Sequence, residues 1–262
     1  MRQASGFRMH VRSLFKRIFY LFLDQLGIRR LREHSFFDLL LRKPAVVADF
    51  GAHRGEFFAA FTSEYPVSRA LLIEANPALA ESMKQAFGDE ADVVHAAAVA
   101  ESKQRTVTFT RSIAPESSSV FKEWSVAYGI ADQVTVPTLD FSDAVNRFGD
   151  RIDLIKMDVE GAEIAILESA SASDLTSCIQ LTVEFHDKRA PFTRRDVDRV
   201  CRRMRAAGYG IVMANWPKVD DVLFVNLKSV SVTERIGLRC RVAVANALFI
   251  VRRTIFGSGY SS

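Results

Sequence analysis

Three short segments of this chain place acids, glycines and histidines where they could do chemistry. The densest is Lys156-Met157-Asp158-Val159-Glu160-Gly161-Ala162-Glu163, in which an apolar strand runs into carboxylates and a glycine before a helix begins. Strand alternation sends Lys156 and Asp158 to one side, so an ion pair between them is the ordinary expectation. The functional alternative is that Asp158 and Glu160 project over the edge of a sheet toward reacting groups, with Glu163 complementing the dipole of the next helix. Glu184-Phe185-His186-Asp187 ends another apolar run. A histidine flanked by acids beside a cleft can take a proton from a hydroxyl, because its pKa lies near working pH. His186 is therefore a candidate base and His53 a second one. Against this stands the plain reading of a surface histidine after a strand. His10, His34 and His95 have no such context and are expected at the surface or partly buried.

Asp49-Phe50-Gly51-Ala52-His53-Arg54-Gly55 gives a strand ending in an acid and a small-residue turn. Gly51 lets the backbone turn tightly and come close to a ligand, and the following helix start offers unpaired amides. The spacing is not the dinucleotide G-x-G-x-x-G, which speaks against a nicotinamide oxidoreductase. Glu74 ends a further apolar strand 25 residues after Asp49, close to the offset at which an acid meets ribose hydroxyls in nucleotide-binding βαβ units. Each motif alone could be a turn or a solvated strand end. Together they favour a nucleotide-containing cofactor. A divalent cation held by Asp158, Glu160 and Glu184 is a further option, since clustered carboxylates suit Mg²⁺.

These residues need a frame that brings strand ends together. From residue 46 onward strand-like and helix-like segments alternate, the pattern of a mostly parallel sheet with helices on both faces. Strands are predicted near 46–51, 70–75, 92–97, 152–158, 179–185, 209–214 and 221–227. Helices are predicted near 55–64, 77–87, 161–170 and 193–207. The stretch 101–150 breaks the rhythm with Thr106 to Thr110 alternating, then Ser117-Ser118-Ser119, then Val134-Thr135-Val136. It reads as an insertion, of the kind that shapes substrate pockets.

The motifs at 49–55, 74 and 153–163 together resemble the FkbM family of S-adenosylmethionine (SAM)-dependent methyltransferases, over roughly residues 46–227. That resemblance implies an α/β, Rossmann-like, seven-stranded and mostly parallel sheet (the class I SAM-dependent methyltransferase fold), SAM as methyl donor, and transfer mostly to oxygen on sugars or other small hydroxylated acceptors. On this reading Asp49, Gly51, Ala52, Gly55 and Glu74 hold the cofactor. Asp158 and Glu160 form the acceptor-side rim and His186 is the candidate base. A non-catalytic protein that keeps the fold and binds nucleotide or membrane is the alternative.

The ends lie outside the resemblance. Residues 1–45 hold ten Lys/Arg against three Asp/Glu and residues 228–262 hold six against one, so the ends carry +7 and +5 while 46–227 carries −8. A basic stripe on the folded domain would be expected of a nucleic-acid binder, and here the body is acidic. Phe15, Ile18, Phe19, Phe22, Leu23 and Leu26 recur at helical spacing within 12–27, flanked by Arg12, Lys16 and Arg17, so helical N- and C-terminal extensions are expected. The interrupted apolar run is a poor signal peptide. The longest apolar stretch of the tail, 242–251, is far short of the roughly 20 residues that span a bilayer. Such basic, apolar ends suit either packing on the domain or peripheral contact with an anionic membrane, where lipid-linked acceptors are found. Cys178, Cys201 and Cys240 form neither a disulfide framework nor a metal spacing, which fits a cytoplasmic, reducing location.

Overall fold

A computed structural model describes residues 17–101, 105–113, 118–126, 129–186, 192–213 and 221–256. Arg12, Phe15 and Lys16 of the N-terminal stripe, and Ser117 and Asp187, lie outside the described residues. Helix α1 (17–25) leads into a hairpin of β1 (Ile28–Leu31) and β2 (His34–Phe37). Alternating units follow: β3 (Ala45–Phe50), α2 (Glu56–Glu64), β4 (Val67–Glu74), α3 (Pro77–Phe87) and β5 (Asp92–His95). The insertion contributes β6 (Ala97–Val99), β7 (Thr106–Ser112), α4 (Lys122–Val126), β8 (Ile130–Asp140) and α5 (Phe141–Asn146). The chain then returns through β9 (Leu154–Met157), α6 (Glu163–Ser169), α7 (Ala172–Ser177), β10 (Gln180–Val183) and α8 (Arg194–Ala207). It closes with β11 (Tyr209–Met213), β12 (Val222–Asn226) and α9 (Val232–Phe256).

Seven of these strands form one sheet in the order β11-β12-β10-β9-β3-β4-β5. β5, β4, β3, β9 and β10 run parallel, while β12 is antiparallel to both of its neighbours. This is the α/β, mostly parallel seven-stranded fold that the alternation and the family resemblance imply. β3, β9, β10 and β12 are buried along their whole length because helices cover both faces, which is why they read as unbroken apolar runs. The helices that cover them carry ordinary end signals. Asn76 caps α3 by accepting from Ala78 N ahead of Pro77. α8 starts at a Thr193/Asp196 capping box, buries Val197, Val200, Cys201 and Met204, and stops at left-handed Gly208.

Strand order reverses between β3 and β9, the neighbours at the centre of the sheet. Sheets of this kind bind ligands outside the carboxyl ends of the strands at such a reversal. The expected third strand, near 92–97, splits. β5 stays in the main sheet, and β6 turns away to pair with β8, which also pairs with β7, making a separate three-stranded sheet. The insertion thus stands over the carboxyl edge through Phe109, Ser118 and Val120.

The N-terminal extension is helical over 17–25 and then adds a hairpin that periodicity does not signal. All four residues of β2 are buried, so no alternation marks the strand. Long-range hydrogen bonds hold it instead. Phe37 N donates to Gln180 Oε1 at 2.8 Å, Gln180 Nε2 donates to Phe37 O at 3.0 Å, and Ser35 Oγ donates to Asp221 Oδ2 at 2.7 Å. α1 and α9 lie side by side and antiparallel: the Phe19 and Phe249 rings are 5.2 Å apart and Arg241 Nη1 donates to Gln25 O at 3.4 Å. Their inner faces bury Phe19, Leu23, Leu238, Ala245 and Phe249 against Val212, Leu223 and Val225 of the sheet. No helix among the described residues is long and apolar enough to cross a membrane.

Candidate active site

A cavity of about 330 Å³ opens at the carboxyl ends of β3, β4, β9 and β10. Gly51, Ala52, His53, Glu74, Lys156, Asp158, Glu160 and Glu184 line it. The structure therefore brings all four sequence motifs to one surface, the last of them through Glu184, with His186 beside Asp158.

Lys156 is the keystone. Its ammonium is 3.1 Å from Asp49 Oδ1 and 3.7 Å from Asp158 Oδ2, and it donates to Gly51 O at 2.7 Å. One buried cation thus joins the end of β3 to the end of β9. Burial alone would lower its pKa, but Asp49 and Asp158 outweigh that and hold it raised, so Lys156 stays charged. Burial pushes Asp49 upward against the pull of Lys156. Asp158 is partly buried, which would raise it, yet Lys156 and His186 hold it below the usual carboxylate range. The expected Lys156 to Asp158 ion pair and the projecting rim turn out to be compatible, since Asp158 Oδ1 has no hydrogen-bond partner.

Gly51 shows why the β3 turn needs glycine. It sits at φ +77°, and a Cβ there would lie 1.8 Å from the carbonyl oxygen of Asp158. Close approach of the two strand-end loops is thus the first requirement on this residue. The three non-glycine residues with positive φ among the described residues, Arg32, His53 and Glu160, all line the same cavity. Such backbone strain concentrates where surrounding contacts over-determine the geometry.

Those contacts are visible for Glu160. Ser119 Oγ, from the insertion, donates to Glu160 O at 2.6 Å, and Gly161 N and Val159 N both donate to the Glu163 carboxylate. Glu163 is fully buried and also meets His186 Nδ1 at 2.9 Å. The sequence suggests only a helix-dipole role for Glu163. In the structure it clamps the rim loop and orients the histidine.

His186 Nε2 faces Glu160 Oε2 at 3.4 Å and Asp158 Oδ1 at 3.8 Å. Burial would lower the imidazole pKa, but Glu163, Glu160 and Asp158 together raise it well above 6.5. The three carboxylates around it thus favour the imidazolium form, whereas the sequence reading of a candidate base rests on an ordinary pKa. His53, the second candidate, points toward Glu56, with Nδ1 3.4 Å from Oε2.

Glu74 accepts from two backbone amides, His53 N at 2.9 Å and Asn76 N at 2.7 Å. Burial nevertheless lifts its pKa to about 7. Burial and then Asp158 lift Glu184 to about 8. Next to Glu184 and Asp158, burial and Lys156 drop His34 to about 3, so its ring is neutral. His34 comes from β2, and no motif or spacing singles it out. Only the fold places it 4% exposed against the cavity.

These shifts set a pH dependence. A carboxyl whose pKa is raised on folding, from 4.5 to about 7 at Glu74 and to about 8 at Glu184, loses stability as pH rises through that interval. His186, raised above 6.5, adds to the loss above that pH, while His34 works the other way only below 6.5. The thermal midpoint of the ligand-free protein is therefore expected to fall between pH 6.5 and 8, and Glu184→Gln to flatten the fall. Calorimetry showing a constant or rising midpoint over that range would contradict these assignments.

Residues 49–211 match the Methyltransferase FkbM domain family, more than half of the chain. Among solved structures the chain is similar to methyltransferase FkbM from Methylobacillus flagellatus KT, at 17% identity and a TM-score of 0.46 over 72% of this chain and 46% of that one. It thus spans just under half the length of that protein. It is also similar to magnesium protoporphyrin IX methyltransferase from Synechocystis PCC 6803 with bound SAM, at 13% identity and a TM-score of 0.35 over 71% of this chain and 69% of that one. A third is SAM-bound CalS10, an amino pentose methyltransferase from Micromonospora echinaspora, at 12% identity and a TM-score of 0.38 over 70% and 84%. No curated protein sequence matches. With the match running from Asp49 at the end of β3 to Ile211 in β11, and enclosing all four motifs that meet at the cavity, the chain belongs to the FkbM methyltransferase family.

Proposed function

We propose that this protein transfers the methyl group of SAM to a hydroxyl of a sugar or another small hydroxylated acceptor. The observation that carries the reading is that Gly51, Glu74, Asp158 and Glu160 line one cavity at the reversal of strand order, with Asp49 fully buried against Lys156 beside it. Gly51 and Ala52 at the β3 turn and Gly55 at the start of α2 form the methionine side of the cofactor site. Glu74 takes the ribose diol, because a carboxylate accepts from both hydroxyls. Asp49, neutralised by Lys156 from behind, completes that side. The body's charge of −8 suits a sulfonium cation.

On the acceptor side, Asp158 and Glu160 flank the approach to the methyl group. Positioning of two bound reactants supplies most of the acceleration in a displacement of this kind. The acceptor proton falls to the cluster of Asp158, Glu160 and His186. While His186 is cationic its carboxylates are the acceptors, and the imidazole becomes a base as pH rises through its raised pKa. Calorimetric titration tests the cofactor half. Wild type should bind SAM and not NAD, and Glu74→Ala should weaken SAM by about 1–3 kcal/mol, the size of a lost hydrogen-bonding partner in a buried site. Unchanged affinity in Glu74→Ala would remove Glu74 from the ribose.

The acceptor reading extends to the helix pair. α1 exposes Ile18, Leu21 and Phe22, and α9 exposes Ile236, Val244, Ile250 and Val251, on the sides turned away from the sheet. Arg239 and Arg241 flank the α9 stripe. An apolar stripe edged by arginine suits the interface of an anionic membrane on the cytoplasmic side, each basic group there adding about 1 kcal/mol. Lipid-linked saccharides would then be acceptors within reach. Liposome co-sedimentation of the full chain tests this: binding to anionic vesicles should fall at least tenfold in a Phe22→Ser/Ile236→Ser/Ile250→Ser variant. Equal binding by both proteins, or none by wild type at low salt, would leave the pair as packing elements. Deleting the helices is a poorer test, because it would uncover Val212, Leu223 and Val225.

A further inference from the structure

His34 brings an unexplained nitrogen donor to the acceptor side of the cavity. It is 4% exposed, packs edge-on against Phe57 with centroids 5.6 Å apart, and its buried Nδ1 has no hydrogen-bond partner. A nitrogen of this ring and one carboxylate oxygen each from Asp158 and Glu184 all lie within 4.8 Å of one another. Two carboxylates so close repel, and Asp158 Oδ1 is itself buried without a hydrogen-bond partner. The three donors come from three separate elements: β2, the loop after β9 and the end of β10.

We propose that His34, Asp158 and Glu184 form a binding site for a first-row divalent cation of the Mn²⁺ type. One imidazole and two carboxylates favour such an ion over Mg²⁺, which prefers an all-oxygen shell, and three protein ligands leave positions open for water or an acceptor oxygen. A second group, Asp158, Glu160 and His186, shares one ligand with the first. Glu163 at His186 Nδ1, 2.9 Å away, would orient that ring for ligation through Nε2, so the two groups are told apart by which histidine the ion contacts; the first is preferred because the buried His34 Nδ1 has no hydrogen-bond partner. This replaces the all-carboxylate arrangement suggested by the sequence, putting His34 where Glu160 was expected. An ion there would offset the repulsion between Asp158 and Glu184. That it would also lower the pKa of an acceptor hydroxyl rests on the methyltransferase reading, but its binding does not.

Electron paramagnetic resonance of Mn²⁺ added to the full chain without SAM reads binding directly. One ion per chain should bind in the micromolar range with hyperfine coupling to a single imidazole nitrogen. Glu184→Gln should weaken binding at least tenfold. The nitrogen coupling should persist in His186→Gln and vanish in His34→Asn, with thermal midpoints recorded in metal-free buffer to establish that each variant is folded. Should His34→Asn fail to fold, the coupling in wild type and in His186→Gln still decides the matter. No binding at millimolar Mn²⁺, binding without nitrogen coupling, or coupling lost in His186→Gln would overturn the proposal. SAM calorimetry in metal-free buffer is independent of these outcomes, so a chain that binds Mn²⁺ but not SAM would retain this site and lose the methyltransferase reading.

Discussion

Lys156→Met should cost the folded protein about 3–5 kcal/mol, the largest stability loss expected from any single change around the cavity. The lysine is 6% exposed in its side chain and Asp49 is fully buried, so removing the cation strands a carboxylate at the centre of the sheet. It also deletes the hydrogen bond to Gly51 O that ties the β3 turn to β9. A double variant identifies the cause. Asp49→Asn/Lys156→Met should recover part of the loss, because the stranded charge is then gone. Urea unfolding measures both. A loss below about 1 kcal/mol for Lys156→Met would show that the ion pair is not what holds the two strand ends together.

Asp158→Asn should lower the rate of methyl transfer by about 10²–10⁴-fold, the range associated with a group that handles a proton in the transition state. The change keeps the shape of the side chain and leaves Lys156 paired with Asp49 at 3.1 Å, so thermal stability and SAM affinity should change little. Single-turnover transfer, SAM calorimetry and a thermal melt on the same preparation separate the roles. Retained turnover would take Asp158 out of the chemistry. A matching loss of SAM affinity would move it to the cofactor side, and a large fall in melting temperature would reduce it to a partner of Lys156.

The parts of this site that the sequence makes legible are those fixed by local rules. An apolar run that stops at an acid marks a strand end, and a run with glycines at 51 and 55 marks a strand-to-helix turn. The order of such units implies a doubly wound sheet, which places Asp49, Glu74 and Asp158 at one edge of it. What sequence leaves hidden depends on long-range packing. β2 has no alternation because all its residues are buried, and its partners Gln180 and Asp221 lie far along the chain. His34 therefore looks incidental until the hairpin is folded against the sheet. Glu163 is misread for a related reason. A helix-first-turn acid is usually exposed, and only the turn at Glu160, with φ +54°, brings the amides of Val159 and Gly161 and the His186 ring to its carboxylate. The charge of His186 follows from the same crowding, since spacing alone does not show three carboxylates around one imidazole.

The central claim, that Asp49, the Gly51 turn and Glu74 form a SAM site, is tested most directly by native mass spectrometry of the full chain mixed with equal amounts of SAM and NAD. Such a site requires one SAM per chain, no NAD adduct, and a clearly weaker SAM adduct in Glu74→Ala. Retention of NAD with no SAM would contradict it.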